Sequence, residues 1–395
     1  MKKVSKRYIL MLNLIVMFAF NMAHPVTPRL ITELSLPSFM FGIFFAFMSI
    51  ATFISSPVWG KLSDENGRKR YLIYGVCGYG ISQIGFGFSK NTIFILIFRL
   101  LAGAFAASYI TVSMAYITDI TNNKNRIKYL SYYSAFGYVG SSFGSLMGGV
   151  IGSNKYKLTF LFQFVVCLII TLLINFFIGE SIRTPSLTIN KKLKIYEGEK
   201  IKINLKSVLG IMIIAVALTS FSTTSYNSTI NYYVEAVLKL SPSVIGIVMF
   251  VSGMIGLIMN FFVNPYLAQK FNEKNLFKAV VVFSGISLII ASLIENLIIA
   301  IIFVIIFLAF ISLIIPIQQS IISKEANKNY GMIMGMQNSS KALGMVAGSL
   351  FSGFIFNIGS KLPFIIAGLI LIITYFILIY TKKFKDDEFP NCKNF

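Results

Sequence analysis

The chain has 395 residues, of which 56% are hydrophobic and only 12% charged, with a mean hydropathy of +0.77. Soluble domains average about 45–50% apolar and ~25% charged residues, so a soluble enzyme, a disordered chain and a fibrous repeat are excluded. The net charge of +21, from 35 Lys and Arg against 14 Asp and Glu, would suggest a nucleic-acid surface in a polar chain. In one this apolar, the positions of the cations decide what they mean.

A helix crossing a ~30 Å hydrocarbon core needs about 20 mostly apolar residues. Twelve such segments are predicted. In the first half they are Tyr8–Thr32, Phe39–Gly60, Tyr71–Ser89, Thr92–Ile117, Leu130–Gly152 and Leu158–Gly179. The second half supplies Ser207–Val234, Ser243–Asn264, Phe277–Ile294, Leu297–Ile322, Gly331–Asn357 and Pro363–Tyr380. MKKVSKR before the first run imitates a signal peptide. The run is too long for one and no A-x-A site follows, so it is read as span one.

With the N-terminus inside, 27 cations fall in inner segments, six in outer ones (Arg29, Lys90, Lys155, Lys157, Lys239, Lys361) and two, Arg99 and Lys341, within the membrane. Excess Lys and Arg mark the cytoplasmic side, so both termini are expected there, in a multi-pass protein of the plasma membrane. The basic charge is a threading signal, and no nucleic-acid partner is expected. Cys77, Cys167 and Cys392 form no disulfide framework.

The polar segment between spans six and seven divides the chain into residues 1–180, a first six-helix bundle; 181–206, a cytoplasmic linker; 207–381, a second bundle; and 382–395, a cytoplasmic tail. Gly144 and Gly148 fall 200 residues before Gly344 and Gly348, and LPSFMFGI before span two is echoed by SPSVIGI before span eight. Such weak repetition is typical of transporters built from duplicated six-span units.

After span two comes Gly60-Lys-Leu-Ser-Asp64-Glu-Asn-Gly67-Arg68-Lys69-Arg70. Gly60 would admit a neighbouring helix, Asp64 could cap a helix N-terminus, and Asn66-Gly67 forces a tight turn. This segment resembles the signature loop of the major facilitator superfamily, G-x-L-[SA]-D-x-x-G-R-[KR]-x-[RK]. Pro25-Val-Thr-Pro28 in span one is similar to the P-x-x-P signature of its twelve-span drug:proton antiporter subfamily. Arg99 and Gly103 in span four match an Arg-containing motif of the superfamily, with Ala102 in place of Gln. Gly140-x-x-x-Gly144-Ser145-x-x-Gly148-Gly149 in span five is similar to the antiporter motif G-x-x-x-G-P-x-x-G-G, with Ser145 in place of Pro. The second-half copy of the signature loop, Asn264 to Asn272, is degenerate.

The resemblance implies an all-α membrane protein of twelve transmembrane helices in two pseudo-symmetric six-helix bundles, the major facilitator fold. It places Asp64 against the inner start of span eleven near Gly331 and pairs Arg68 with Asp119. These two contacts would latch the halves in the outward-facing state, with Lys69 holding the loop inside. It also has spans one, four, seven and ten line a central cavity. Candidate residues for that cavity and for coupling are Asn21, His24, Arg99, Asn227, Asn231, Gln318, Gln337, Asn338 and Lys341. Intramembrane ionisable groups are expensive and usually functional. The small residues of the motifs, with Pro25 and Pro28, are read as packing elements.

Function read this way is proton-coupled efflux of small amphipathic compounds by a monomer, without cofactor or metal. A proton antiporter usually needs a buried carboxylate of raised pKa. Asn21 stands where relatives often carry an acid, and Glu33, Asp119, Glu235 and Glu295 all lie toward span ends. Transport of an anionic or neutral metabolite is the alternative, since Arg99 and Lys341 have no evident carboxylate partner. A non-transporting membrane sensor is the alternative of another class. No nucleophile–base pair or phosphate loop suggests an enzyme.

Overall fold

A computed structural model describes residues 6–121, 123–181, 207–325 and 330–381. The expected linker, apart from its first residue, Ser181, and the expected tail, with Cys392, lie outside these residues. No strand occurs among the described residues. The helices are α1 (Lys6–Asn21), α2 (Thr27–Glu33), α3 (Met40–Asn66), α4 (Arg68–Phe88), α5 (Thr92–Ile120), α6 (Asn123–Gly152) and α7 (Tyr156–Phe177). After the linker come α8 (Val208–Ala236), α9 (Pro242–Ile258), α10 (Asn264–Lys270), α11 (Glu273–Leu293), α12 (Leu297–Glu325), α13 (Tyr330–Phe356) and α14 (Leu362–Tyr380).

All twelve expected spans are present, two of them interrupted. Span one breaks after Asn21 into a short 3-10 turn, His24–Val26, before α2 resumes. Pro25 and Pro28 cause the break, because each lacks an amide hydrogen to continue the helical bonds. Span eight passes through a π-turn, Met259–Val263, before Pro265 opens α10. By length and apolar composition ten helices qualify to cross a membrane. The other two, α4 and α6, are long enough but diluted by Gly, Ser and Tyr.

Several helices outlast the apolar runs that predicted them. Span two was expected to end at Gly60, yet α3 continues to Asn66; span eight likewise continues through α10 to Lys270. Apolarity marks where the membrane is, whereas helix ends are set by turn residues. Gly67, at φ +91°, supplies the backbone conformation that stops α3 and starts α4.

The chain forms two compact units, one comprising residues 1–198 with 231–254 and the other 199–230 with 255–395. In the first, Leu72, Val76 and Tyr79 of α4 meet Tyr109 and Val112 of α5, Val16 of α1 and Ile170 of α7 in one buried cluster. Its α1 and α6 run parallel in constant register. A Cβ at Gly140, Gly144 or Gly148 would land on the carbonyl oxygens of Leu14, Phe18 and Met22 in turn. The second unit repeats this on α8 and α13, where Gly344 and Gly348 press on the carbonyls of Ala217 and Phe221. Ser340, the counterpart of Gly140, donates from Oγ to the carbonyl of Ile213 at 2.7 Å. Backbones this close gain dispersion and Cα–H···O contacts, which drive helix association in lipid. The repeat extends to the caps: Asn91 Oδ1 accepts the Ile93 amide at 2.8 Å, and Asn296 Oδ1 the Ile298 amide at 3.0 Å.

Candidate functional site

The signature segment forms one polar cluster in the first unit. Arg68, only 7% exposed, donates from Nε to Asp119 Oδ2 at 3.0 Å, donates from Nη1 to Ser63 Oγ at 2.7 Å, and contacts Asp64 Oδ1 through the same nitrogen at 2.5 Å. Lys69 Nζ reaches the carbonyl of Asn175 at 2.6 Å. The structure thus brings Asp64, Arg68 and Asp119 together. The surroundings of Gly331, the expected neighbour of Asp64, fall outside the described residues.

Asp64 lies in the last turns of α3 and does not cap α4, the helix that follows. The start of α4 is served by Glu180, whose carboxylate accepts the amides of Arg68 at 2.7 Å and Lys69 at 3.2 Å. A carboxylate there satisfies two amides that have no helical partner and complements the helix dipole. Nor does Gly60 mark a tight crossing: a Cβ on it would lie 3.7 Å from Thr111, an ordinary contact. Glu180 and Ser181, whose Oγ donates to Asp119 at 3.0 Å, were missed; the only sequence signal was an acid just after span six.

In span one, Asn21 Nδ2 bonds back to the Met17 carbonyl at 2.8 Å. His24 is partly buried and stacks on Phe45 with ring centroids 5.9 Å apart. Arg99 of α5 is 1% exposed. Its Nε donates to the Phe44 carbonyl at 3.1 Å and its guanidinium lies 4.9 Å from the centre of the Phe86 ring. Nη2 has no hydrogen-bond partner among the described residues. Gly103, one turn further along α5, lies against the carbonyl of Met48.

A second seam in the first unit joins residues 231–254 to the ends of α2, α3 and α6. Gly149 packs on the Pro242 carbonyl, and a Cβ on Gly246 would lie 2.7 Å from the Ser145 carbonyl. Tyr232 stacks on Phe41 at 5.0 Å, and Phe250 meets Phe143 edge-on at 5.1 Å. Two ion pairs sharing Arg29 lie at this seam. Arg29 Nε is 3.7 Å from Glu235 Oε1 and 3.6 Å from Glu33 Oε1, while its Nη1 donates to the Ser153 carbonyl at 2.6 Å. Glu235 Oε2 is buried without a hydrogen-bond partner among the described residues. Asn231, one turn before Glu235, is 6% exposed. α6 runs unbroken past Ser145, so without the proline there is no break at this position.

In the second unit the polar candidates divide by exposure. Gln318 of α12 is 4% exposed and donates to Thr219 Oγ1 at 2.9 Å; Gln337 is 7% exposed. Asn227, Asn338 and Lys341 are exposed. Asn227 is the one exposed position of α8.

A family model, the Major Facilitator Superfamily, matches residues 9–211 and again 212–391. The chain belongs to the major facilitator superfamily. It is similar to Multidrug resistance protein 2 of Bacillus subtilis (strain 168), 25% identical over 386 residues covering 96% of both chains. Multidrug resistance protein 1 of the same strain is 27% identical over 375 residues, 94% of this chain and 95% of that one. The Quinolone resistance protein NorA of Staphylococcus aureus (strain COL) is 22% identical over 363 residues, 91% and 92%. Among solved structures, a bacterial homologue of the human lysosomal transporter Spinster superposes with a TM-score of 0.76, covering 99% and 100% of the two chains at 15% identity. A D-xylose–proton symporter gives 0.72, over 96% and 98%, at 15% identity. This is therefore a multi-pass membrane transporter of the drug-transporter-like kind, not an enzyme.

Proposed function

We propose that this transporter exports small amphipathic compounds across the plasma membrane by alternating access, in exchange for protons. The observation carrying this reading is the full-length likeness to proteins named for multidrug resistance, joined to the glycine register of α6 on α1. Both termini lie in the cytoplasm, as the distribution of Lys and Arg favours, and the working unit is a monomer.

Arg68, Asp64 and Asp119 form the inner gating element. Their charges sit close enough to hold one another, and Asp64, its side chain 62% exposed, can exchange partners when the helices move. Arg29 and Glu235 form an outer gating element. A proton on Glu235 removes both the attraction to Arg29 and the larger cost of burying the charge, which links closure of this seam to external pH.

Purified protein in vesicles with an imposed pH gradient tests the reading. Two probes are offered, ethidium as a lipophilic cation and a fluorescent aryl sulfonate as an organic anion. Gradient-driven accumulation of at least one, abolished by a protonophore and absent from protein-free vesicles, is expected. Failure of the gradient to drive either probe would overturn it.

A further inference from the structure

The two intramembrane cations occupy opposite environments. Arg99 is sealed, its charge spread between the Phe44 carbonyl and the face of Phe86, which leaves no surface for a ligand. Lys341 is exposed and, among the described residues, makes no hydrogen bond or ion pair. It stands ten residues, about 15 Å at 1.5 Å per residue, beyond Gly331, where the apolar run of span eleven begins.

Its direction around α13 excludes the bland explanation of a lysine reaching past lipid to water. Gln337, Gly344 and Gly348 are the buried face against α8. Leu343, Ala347 and Phe354 form an exposed apolar stripe suited to lipid. At about 100° per residue, Lys341 lies roughly 120–160° away from that stripe and about 60° from Asn338, the other exposed polar position. The helix therefore presents two separate exposed faces, one apolar and one polar. The described acids of the second unit do not answer the charge: Glu273 is held by Lys324 and Ser320, and Glu295 and Glu325 are exposed at the ends of α11 and α12.

We infer that Lys341 is the contact for an anionic head group, carboxylate or sulfonate, on an otherwise apolar small molecule. An unpaired ammonium at this depth is costly until a counter-charge arrives, so the substrate supplies it. Asn338, one turn before, offers an amide to the same head group. Amphipathic anions and zwitterions are then favoured over lipophilic cations. This rests on the transport reading above and names its substrate class.

The test is equilibrium binding to the purified protein, followed by anisotropy, of the fluorescent aryl sulfonate and of ethidium. Lys341→Gln should weaken the sulfonate at least tenfold more than ethidium, and Lys341→Arg should keep sulfonate affinity within about threefold of the natural protein, since guanidinium preserves the charge. Equal weakening of both probes, or none, would overturn the assignment. If the sulfonate binds as expected but neither probe is moved in vesicles, the transport reading fails while the binding site stands.

Discussion

Lys324 in the last turn of α12 holds Glu273 at the start of α11, Nζ to Oε2 at 2.9 Å, and the two stand where Asp119 and Arg68 stand in the first six spans, with the charges exchanged. Each is 205 residues beyond its counterpart, and α11 and α12 begin 205 residues after α4 and α5. The degenerate second copy of the signature segment has therefore kept the bridge while losing the motif. Because the sign is reversed, no search for Arg at that position would find it.

The two bridges should differ in weight. Lys324 is 67% exposed, and exposed pairs are worth about 0–1 kcal/mol; Arg68 is buried with three side-chain partners, and breaking a buried pair costs about 3–5 kcal/mol. In a thermal melt of the purified protein, Lys324→Ala should shift stability by at most ~1 kcal/mol and Arg68→Ala by several times as much. The double exchange Glu273→Lys with Lys324→Glu should restore the melting temperature. Exchanging Arg68 with Asp119 should not, since Asp64 and Ser63 also serve the arginine.

Glu180 gives a test of the cap on α4. Glu180→Ala removes the acceptor for two α4 amides, a loss of about 1 kcal/mol, and should raise hydrogen exchange at Arg68 and Lys69. Asp64→Ala should leave exchange at those two amides unchanged. The opposite pattern would return the cap to Asp64.

The glycine register predicts steric failure in both units. Gly144→Val and Gly348→Val would drive methyl groups into the carbonyls of Phe18 and Phe221, costing about 1–3 kcal/mol or more. Gly60→Ala should cost little, because 3.7 Å separates the new methyl from Thr111. Melting temperatures of the three variants check the contrast.

Glu235, beyond the end of span seven, should confer pH dependence with a definite sign. Burial raises its carboxyl above the usual carboxylate range and outweighs the attraction of Arg29, so the closed seam favours the protonated form and loses stability as pH rises through the raised value. Hydrogen exchange in the turn between α8 and α9, corrected for intrinsic rates, should be slower at about pH 5 than at about pH 8. Glu235→Gln should be slow at both.

Much of this was legible in the sequence. Twelve spans follow from apolar runs, and the break in span one from Pro25 and Pro28. The repeat of Gly144 and Gly148 at Gly344 and Gly348 corresponds to the same close contact made twice. What escaped depended on direction or on distant partners. Depth along a helix does not reveal which way a side chain points, so Arg99 and Lys341 looked alike although one is sealed and the other open. Glu180 serves residues over 100 positions earlier, and no local pattern announces such a cap. The end of α3 was misplaced because hydropathy falls at the membrane edge while the helix goes on to Gly67.

The central claim, exchange of substrate for protons, is tested most directly by running the cycle backwards. Vesicles containing the protein, a trapped pH-sensitive dye and a load of aryl sulfonate or ethidium are diluted into probe-free buffer without any imposed pH gradient. As substrate leaves down its own gradient, the lumen should acidify, and protein-free vesicles should show no such change. Substrate leaving through the protein with no change in lumen pH, or with the lumen turning alkaline, would contradict the account.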